Sequence, residues 1–174
     1  MATSANTRLS LKEFRCRYAG EKPSYEYWFG EAIQKPMPTW LHTILCRLLV
    51  ERLRGAGYKS GQEVELRFSD DWCPVPDVIG AQRIEQPYPT TAVDVVAEVL
   101  SPEDRMQRIW EKCEHYEGIG IPTIFVLDPK LRRAWEWNRS NKNLEVIERM
   151  SLPNGREISV EELWLELDQD LSSD

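Results

Sequence analysis

Two carboxylates interrupt apolar runs in the middle of this 174-residue chain. Asp77 lies in "VPDVIG" and Glu98 in "VVAEVL", 21 residues later. A single acid in such a run is ordinarily a strand-end residue that faces water or pairs with an arginine. Two on consecutive strands can instead converge on one point, where, unpaired, each would raise the other's pKa. A divalent cation is the natural neutraliser. Mg²⁺ takes six oxygens, of which a protein supplies one or two carboxylates and water most of the rest, and the carbonyl of Val99, next to Glu98, is a further donor in principle. Lys112 is the candidate to stabilise charge on a phosphate. On a helix it shares a stripe with Arg105, Arg108 and Tyr116 at spacings of three and four. Such a stripe is as readily an ordinary solvated basic face. His42 could activate water or contact phosphate, although a lone histidine near a helix start is expected to face solvent. His115 is expected at the surface, opposite the Lys112 stripe. Trp135 and Trp137 share one strand face and are expected to pack under the terminal helix or at a dimer contact rather than stack on bases.

Several elements must position these residues. Ser10-Leu-Lys-Glu13 is a capping box and predicts a helix to about Tyr18. "YEYWF" and "EAIQK", hinged at Gly30, read as a short hairpin. In "PTWLHTILCRLLVERLRGAG", Leu41, Ile44, Leu45, Leu48, Leu49 and Leu53 follow helical spacing, and Gly-Ala-Gly stops the helix. "QEVELRF" alternates as a half-buried strand, followed by strands at "VPDVIGA" and "AVDVVAEVL". Ser101-Pro102-Glu103-Asp104 predicts a capped helix to about Tyr116 that buries Met106, Ile109, Trp110 and Cys113. "PTIFVLD", "RRAWEWN" and "NLEVIER" read as strands, "VEELWLEL" as a terminal helix, and 168–174 as a frayed acidic tail. The expectation is one α/β domain over 1–174: a restriction-endonuclease-like core with a mixed β-sheet flanked by helices, preceded by an N-terminal helix and hairpin.

Composition narrows the function classes. No phosphate-binding glycine loop is present. The four cysteines are scattered singly, which argues against zinc and for reduced thiols in a cytoplasm. "ILCRLLV", broken by Arg47, is far short of a membrane span, and the first residues, "MATSANTRLS", do not resemble a leader. The net charge of −7 speaks against nucleic acid until it is located. From Glu157 onward there are seven acids and no Lys or Arg; removing them from the 29 leaves 22 acids against 22 bases. A neutral body with an acidic tail requires any DNA contact to rest on local patches.

"PDV", "EVLSP", a lysine and a tyrosine four apart on the next helix, and "GIPTIFVLDP" together resemble the Uma-type restriction endonuclease family of the PD-(D/E)XK superfamily. "YEYWFGEAI" and His42 near the start of the following helix fit the N-terminal part of that pattern, so the resemblance spans about Leu11 to "VEELW". It implies a Mg²⁺- or Mn²⁺-dependent endonuclease acting on DNA as a homodimer, with Asp77 and Glu98 on the metal. The superfamily's lysine two positions after the glutamate is replaced by Leu100, which implies that Lys112 takes its role, with Tyr116 as a neighbour. Glu31 is implied as an N-terminal acid that joins the site. "IGAQRIEQP" after the PDV is more polar than the family pattern, and "PTIFVLDP" departs from its usual wording while keeping Asp128-Pro129. Two other classes remain: a catalytically silent nuclease fold kept as an interaction module, and a phosphodiesterase acting on small substrates. Intact acid and lysine positions argue against the silent module, since buried carboxylates are costly to keep.

Overall fold

The computed structural model describes residues 8–172. The expectation that the first residues do not resemble a leader falls mainly on 1–7 and so lies outside the described residues, as do the last two tail residues. Helix α1 (Leu11–Tyr18) opens with the expected capping box, the Ser10 and Glu13 side chains each meeting the other's backbone N–H. Strands β1 (Tyr25–Trp28) and β2 (Glu31–Gln34) form the hairpin. Its two-residue turn places Phe29 and Gly30 at φ 48° and 93°, the left-handed pair such a turn needs. β4 (Trp72–Cys73) pairs with the other edge of β1, so β1 is the central strand of a three-stranded antiparallel sheet.

Helix α2 (Trp40–Gly55) is N-capped by Thr39. It leads into a six-stranded sheet of order β3 (Lys59–Gln62), β5 (Val78–Ala81), β6 (Val95–Val99), β7 (Thr123–Asp128), β8 (Arg133–Asn138) and β9 (Asn143–Val146). All neighbours are antiparallel except β6 and β7, which are parallel and joined through helix α3 (Met106–Gly118). The sheet is therefore mixed, as expected. A hairpin of β10 (Arg149–Ser151) and β11 (Glu157–Ser159) precedes helix α4 (Val160–Ser172).

Alternation along β6 divides the core. Val95, Ala97 and Val99 pack with Leu45, Leu49 and Leu53 of α2 and Leu163 and Leu167 of α4. Val96 faces the other way, with Ile79, Ile124, Val126 and the Ile109, Cys113 and Tyr116 side of α3. Both faces of β6 are covered, which is why its sequence is almost continuously apolar. Glu98 lies on the α3 side by the same alternation.

Four sequence expectations are corrected. "QEVELRF" is not a strand; the strand is β3, one turn earlier. Glu63 takes φ 50° and ends it, and the Leu66 and Arg67 amides bond to carbonyls of Pro74 and Pro89, residues with no N–H to return. Ser101 does not cap α3. Asp104 accepts a hydrogen bond from the Ser101 amide at 2.6 Å and closes Ser101–Asp104 into a turn, so the helix starts at Met106 with Arg105 at its cap. That shift leaves Met106 exposed and Trp110 half-buried. The tail is not frayed at 168: α4 runs to Ser172, and Asp168 and Asp170 form ion pairs with Arg132 and Arg47. Trp137 is buried edge-on against Trp110 of α3, its indole donating to Glu117 at 2.7 Å; with Trp135 it belongs to the α3 layer, not the terminal-helix layer.

All four cysteines are free thiols, three of them buried. Among the described residues no helix is long and apolar enough to cross a membrane.

Candidate active site

The β5–β6 pairing aligns Val78 with Ala97. Extended by one step, that register sets Asp77 opposite Glu98 at the end of the ladder, and residues opposite one another project to the same side. The two acids line one cleft of about 320 Å³ with Glu26, Lys35, His42, Val99 and Lys112. The cleft mouth is formed by the Lys35–Pro38 segment on one side and by the Ser101–Asp104 turn with Arg105 and Arg108 on the other.

Lys112 does not lie on a solvated stripe. It is 4% exposed, and its Nζ lies 2.8 Å from Glu98 Oε1 and 3.0 Å from Glu26 Oε1. The α3 stripe points inward here because Tyr116, one turn further on, is itself buried and donates its hydroxyl to Glu98 Oε1 at 2.6 Å. Both donors meet the same oxygen, so Glu98 Oε2 accepts no hydrogen bond from the described residues. Asp77 receives the Val99 amide at 2.8 Å on Oδ2 and the Lys35 ammonium at 2.7 Å on Oδ1. His42 is also part of the cluster rather than solvent-facing: it is buried, with Nε2 3.3 Å from Asp77 Oδ2 and Nδ1 3.6 Å from the Cys46 sulfur. Its place at the third residue of α2, held by the Thr39 cap, turns it from solvent into the cleft.

Glu31 is not brought into the cluster. It is exposed beside the hairpin turn, opposite Trp28 in the register. The hairpin acid that arrives is Glu26, paired opposite Ile33 and two residues, about 7 Å, further from the turn. Its Oε1 accepts the Val75 amide at 2.8 Å as well as Lys112, and its Oε2 accepts the Trp28 indole at 3.1 Å. Sequence reasoning missed both Glu26 and Lys35. The available signal for Glu26 was an acid inside an aromatic strand; for Lys35 it was a lysine that continues the Ile33 face of β2 and is held extended by the following proline. His115 is likewise not a free surface residue, its ring lying 5.0 to 5.7 Å from those of Phe29, Trp72 and Trp28.

Three buried carboxylates thus face two buried ammonium groups. Burial pushes Glu98 up to about 7, Lys112 pulling against this and the negative charge of Asp77 adding to it. Burial also acts to raise Asp77, but Lys35 and the His42 contact outweigh it and hold the group well below the usual carboxylate range. Lys112 shows the converse: burial favours its neutral form, and Glu26 and Glu98 overcome this and raise it. Burial raises the Tyr116 phenol, with Glu98 next, so it stays a hydrogen-bond donor.

Among the described residues no group of three or more His, Cys, Asp or Glu side chains is arranged to hold a metal ion. The donor set nevertheless fits a hard cation that keeps most of its waters: two carboxylates in register, one with an oxygen that accepts no hydrogen bond from the described residues, among three buried carboxylates and two lysines. Soft-metal ligation does not suit it. The nearest thiol, Cys46, is pushed by burial far above the range in which it would ionise.

The chain folds as a mixed sheet between helices, with acids at the ends of two adjacent strands. It matches the crystal structure of a protein described as a putative nuclease belonging to DUF820 from Anabaena variabilis, with a TM-score of 0.75 over 91% of this chain and 99% of that one. Sequence identity is 22%, so the likeness is one of fold. The chain belongs to the Uma2 family, described as "putative restriction endonuclease", whose sequence profile matches residues 11–172. No curated protein matches it.

Proposed function

We propose that the protein is an endonuclease that hydrolyses phosphodiester bonds of DNA with Mg²⁺ or Mn²⁺. The observation that carries this reading is the pairing of Asp77 with Glu98 across the end of the β5–β6 ladder, in a buried cluster with excess negative charge. Family membership supports the nuclease class. Asp77 and Glu98, with the Val99 carbonyl, would hold the cation. When bound, such a cation lowers the pKa of water and offsets charge on the phosphate.

The chain's own residues have distinct parts. Glu26 and Glu98 fix the Lys112 ammonium from two sides, presenting a preorganised positive charge where the transition state becomes more anionic. Tyr116 orients the Glu98 carboxylate through Oε1. The Val99 amide and His42 orient Asp77 through Oδ2. Arg105 and Arg108 stand at the mouth, where a sugar–phosphate backbone would pass; Arg108 is steadied over the Trp28 ring at 4.6 Å. These arginines are the local patch that a neutral body requires for DNA contact.

A homodimer in a cytoplasm completes the reading. The free cysteines are compatible with a reducing compartment. Val146 and Leu165, 67% and 56% exposed, flank a second cleft of about 550 Å³ beside edge strand β9 and offer an apolar surface for a second copy.

The test is nicking of supercoiled plasmid with Mn²⁺ by wild type, Asp77→Asn and Lys112→Ala, each freed of contaminating nuclease. Wild-type nicking that both variants lose is expected. Activity that persists in them, or a wild type that cleaves a small phosphodiester and leaves DNA intact, overturns the assignment. A folded wild type inert on both substrates favours the silent interaction module.

A further inference from the structure

Both oxygens of Asp77 already hold donors: Lys35 on Oδ1, and the Val99 amide with the His42 ring on Oδ2. Oδ2 is shared by two donors, whereas Oδ1 holds Lys35 alone, so a cation that approaches the open oxygen Oδ1 meets the like charge of the Lys35 ammonium there. The Val99 amide is fixed at the end of β6. His42 is buried on α2 with its other ring nitrogen beside Cys46. Lys35 differs from both. It follows the last residue of β2, its ammonium sits on a flexible four-carbon stem and donates also to the Val75 carbonyl at 2.8 Å, and a second carboxylate, the 41%-exposed Glu63, lies 3.9 Å from Nζ.

We propose that Lys35 is the exchangeable partner of Asp77: it holds the position at Oδ1 that a divalent cation would take, and on cation entry it moves toward Glu63 and becomes a second ammonium facing the scissile phosphate. The proposal rests on the nuclease reading above. Charge balance is the reason the lysine stays in the cleft. With both lysines retained, the three buried carboxylates and one divalent cation leave a single net positive charge, the complement of one phosphodiester, which the 41%-exposed Glu63 offsets only through solvent screening. Without Lys35 the loaded cluster is neutral and draws the phosphate only through local dipoles. Lys112 is held differently: both acids that meet its ammonium, Glu26 and Glu98, are buried, whereas Lys35 has the solvent-exposed Glu63 to move toward.

The experiment separates metal binding from catalysis. Mn²⁺ is titrated into wild type, Lys35→Met and Glu63→Gln without DNA and followed by electron paramagnetic resonance; DNA nicking is then measured at saturating Mn²⁺. Removing the competing ammonium should tighten Mn²⁺ binding by about tenfold, equivalent to about 1.4 kcal/mol. It should also lower kcat by about 100-fold, as for loss of one preorganised charge, with partial rescue by Lys35→Arg. Glu63→Gln removes the acceptor for the displaced ammonium and should weaken Mn²⁺ binding. Its half-exposed side chain makes it the informative variant if Lys35→Met does not fold. Weaker Mn²⁺ binding in Lys35→Met means that the lysine only orients Asp77, and overturns the exchange. Tighter binding with undiminished kcat overturns the phosphate role. Unchanged binding in both Lys35→Met and Glu63→Gln overturns the inference alone, provided wild type binds Mn²⁺ and nicks DNA. A wild type that binds no Mn²⁺ overturns the nuclease reading and this inference with it.

Discussion

Replacing Glu98 by glutamine should make the protein more stable while removing its proposed activity. In the folded protein this carboxyl gains a proton below about 7, whereas in the unfolded chain it does so only near its ordinary value of 4.5. Between these values the folded state holds the extra proton, so stability falls as pH rises through the window, and above about 7 the full penalty applies. Its size follows from the same displacement: moving a carboxyl from 4.5 to about 7 disfavours the ionised form by about 3 kcal/mol. Glutamine reproduces the shape and neutrality of the protonated acid and can still accept from Tyr116 and Lys112. At pH 8 with chelator, Glu98→Gln should therefore melt above wild type by about 6 to 12 °C, the shift such an energy produces in a chain of this length. Near pH 4.5 the two proteins should melt together. Excess Mn²⁺ should raise the wild-type melting temperature at pH 8 by mass action and leave Glu98→Gln almost unmoved. Circular dichroism melts from pH 4.5 to 8.5, with chelator and with Mn²⁺, supply the comparison. A variant less stable than wild type at pH 8, or a difference that does not vary with pH, would refute the reasoning.

Lys112→Met leaves Glu26 and Glu98 buried without their shared cation and should cost about 3–5 kcal/mol, measured by urea denaturation at pH 8. Glu26→Gln weakens the anchoring of Lys112, the Val75 amide and the Trp28 indole together, and should lower both stability and plasmid nicking. Glu31→Gln is the control from the same hairpin: exposed and outside the cluster, it should change stability by less than about 0.5 kcal/mol and leave nicking at the wild-type rate. Tyr116→Phe removes the hydroxyl that Glu98 Oε1 accepts, raises the carboxyl further, and should shift the pH midpoint of its titration upward when followed by carboxyl NMR.

Legibility in the sequence depended on whether the signal was local. Helix α2, the hairpin and the buried β6 strand are written in spacing and turn residues, and the structure contains them. Asp77 and Glu98 stood out because each breaks an apolar run, and the register that sets them opposite one another needs only adjacent strands. Glu26 was hidden because burial of β1 comes from β4, 44 residues downstream in the Trp28–Trp72 pairing, and nothing in "YEYW" announces that both edges are covered. Glu31 looked equivalent, since it shares the hairpin, and only the distance from the turn separates the two. Lys112 read as a solvated border residue because helical periodicity places a stripe without saying what lies across from it. His42 failed for the same reason. The start of α3 was misread for a different one: Ser-Pro-Glu-Asp satisfies the rules for a helix cap and those for a closed turn, and the choice was made by the Asp104 carboxylate reaching back to the Ser101 amide.

The ion pairs between α4 and its neighbours alter what the net charge means to an approaching polyanion. Glu162 and Glu166 meet Arg52, Asp170 meets Arg47, and Asp168 meets Arg132. Arg47 and Arg52 lie further along α2 than His42, away from the helix end that carries the cleft. Four of the seven acids counted as a repulsive tail thus meet three arginines at close range, which leaves one net negative charge among them in place of four. A nucleic acid strand would be repelled less by the α4 flank than the count of acids suggests, and would meet Arg105 and Arg108 at the cleft mouth. The helix that makes the sequence look unsuited to DNA thus spends much of its charge on its own neighbours, while Arg105 and Arg108 stand at the buried acid–lysine cluster.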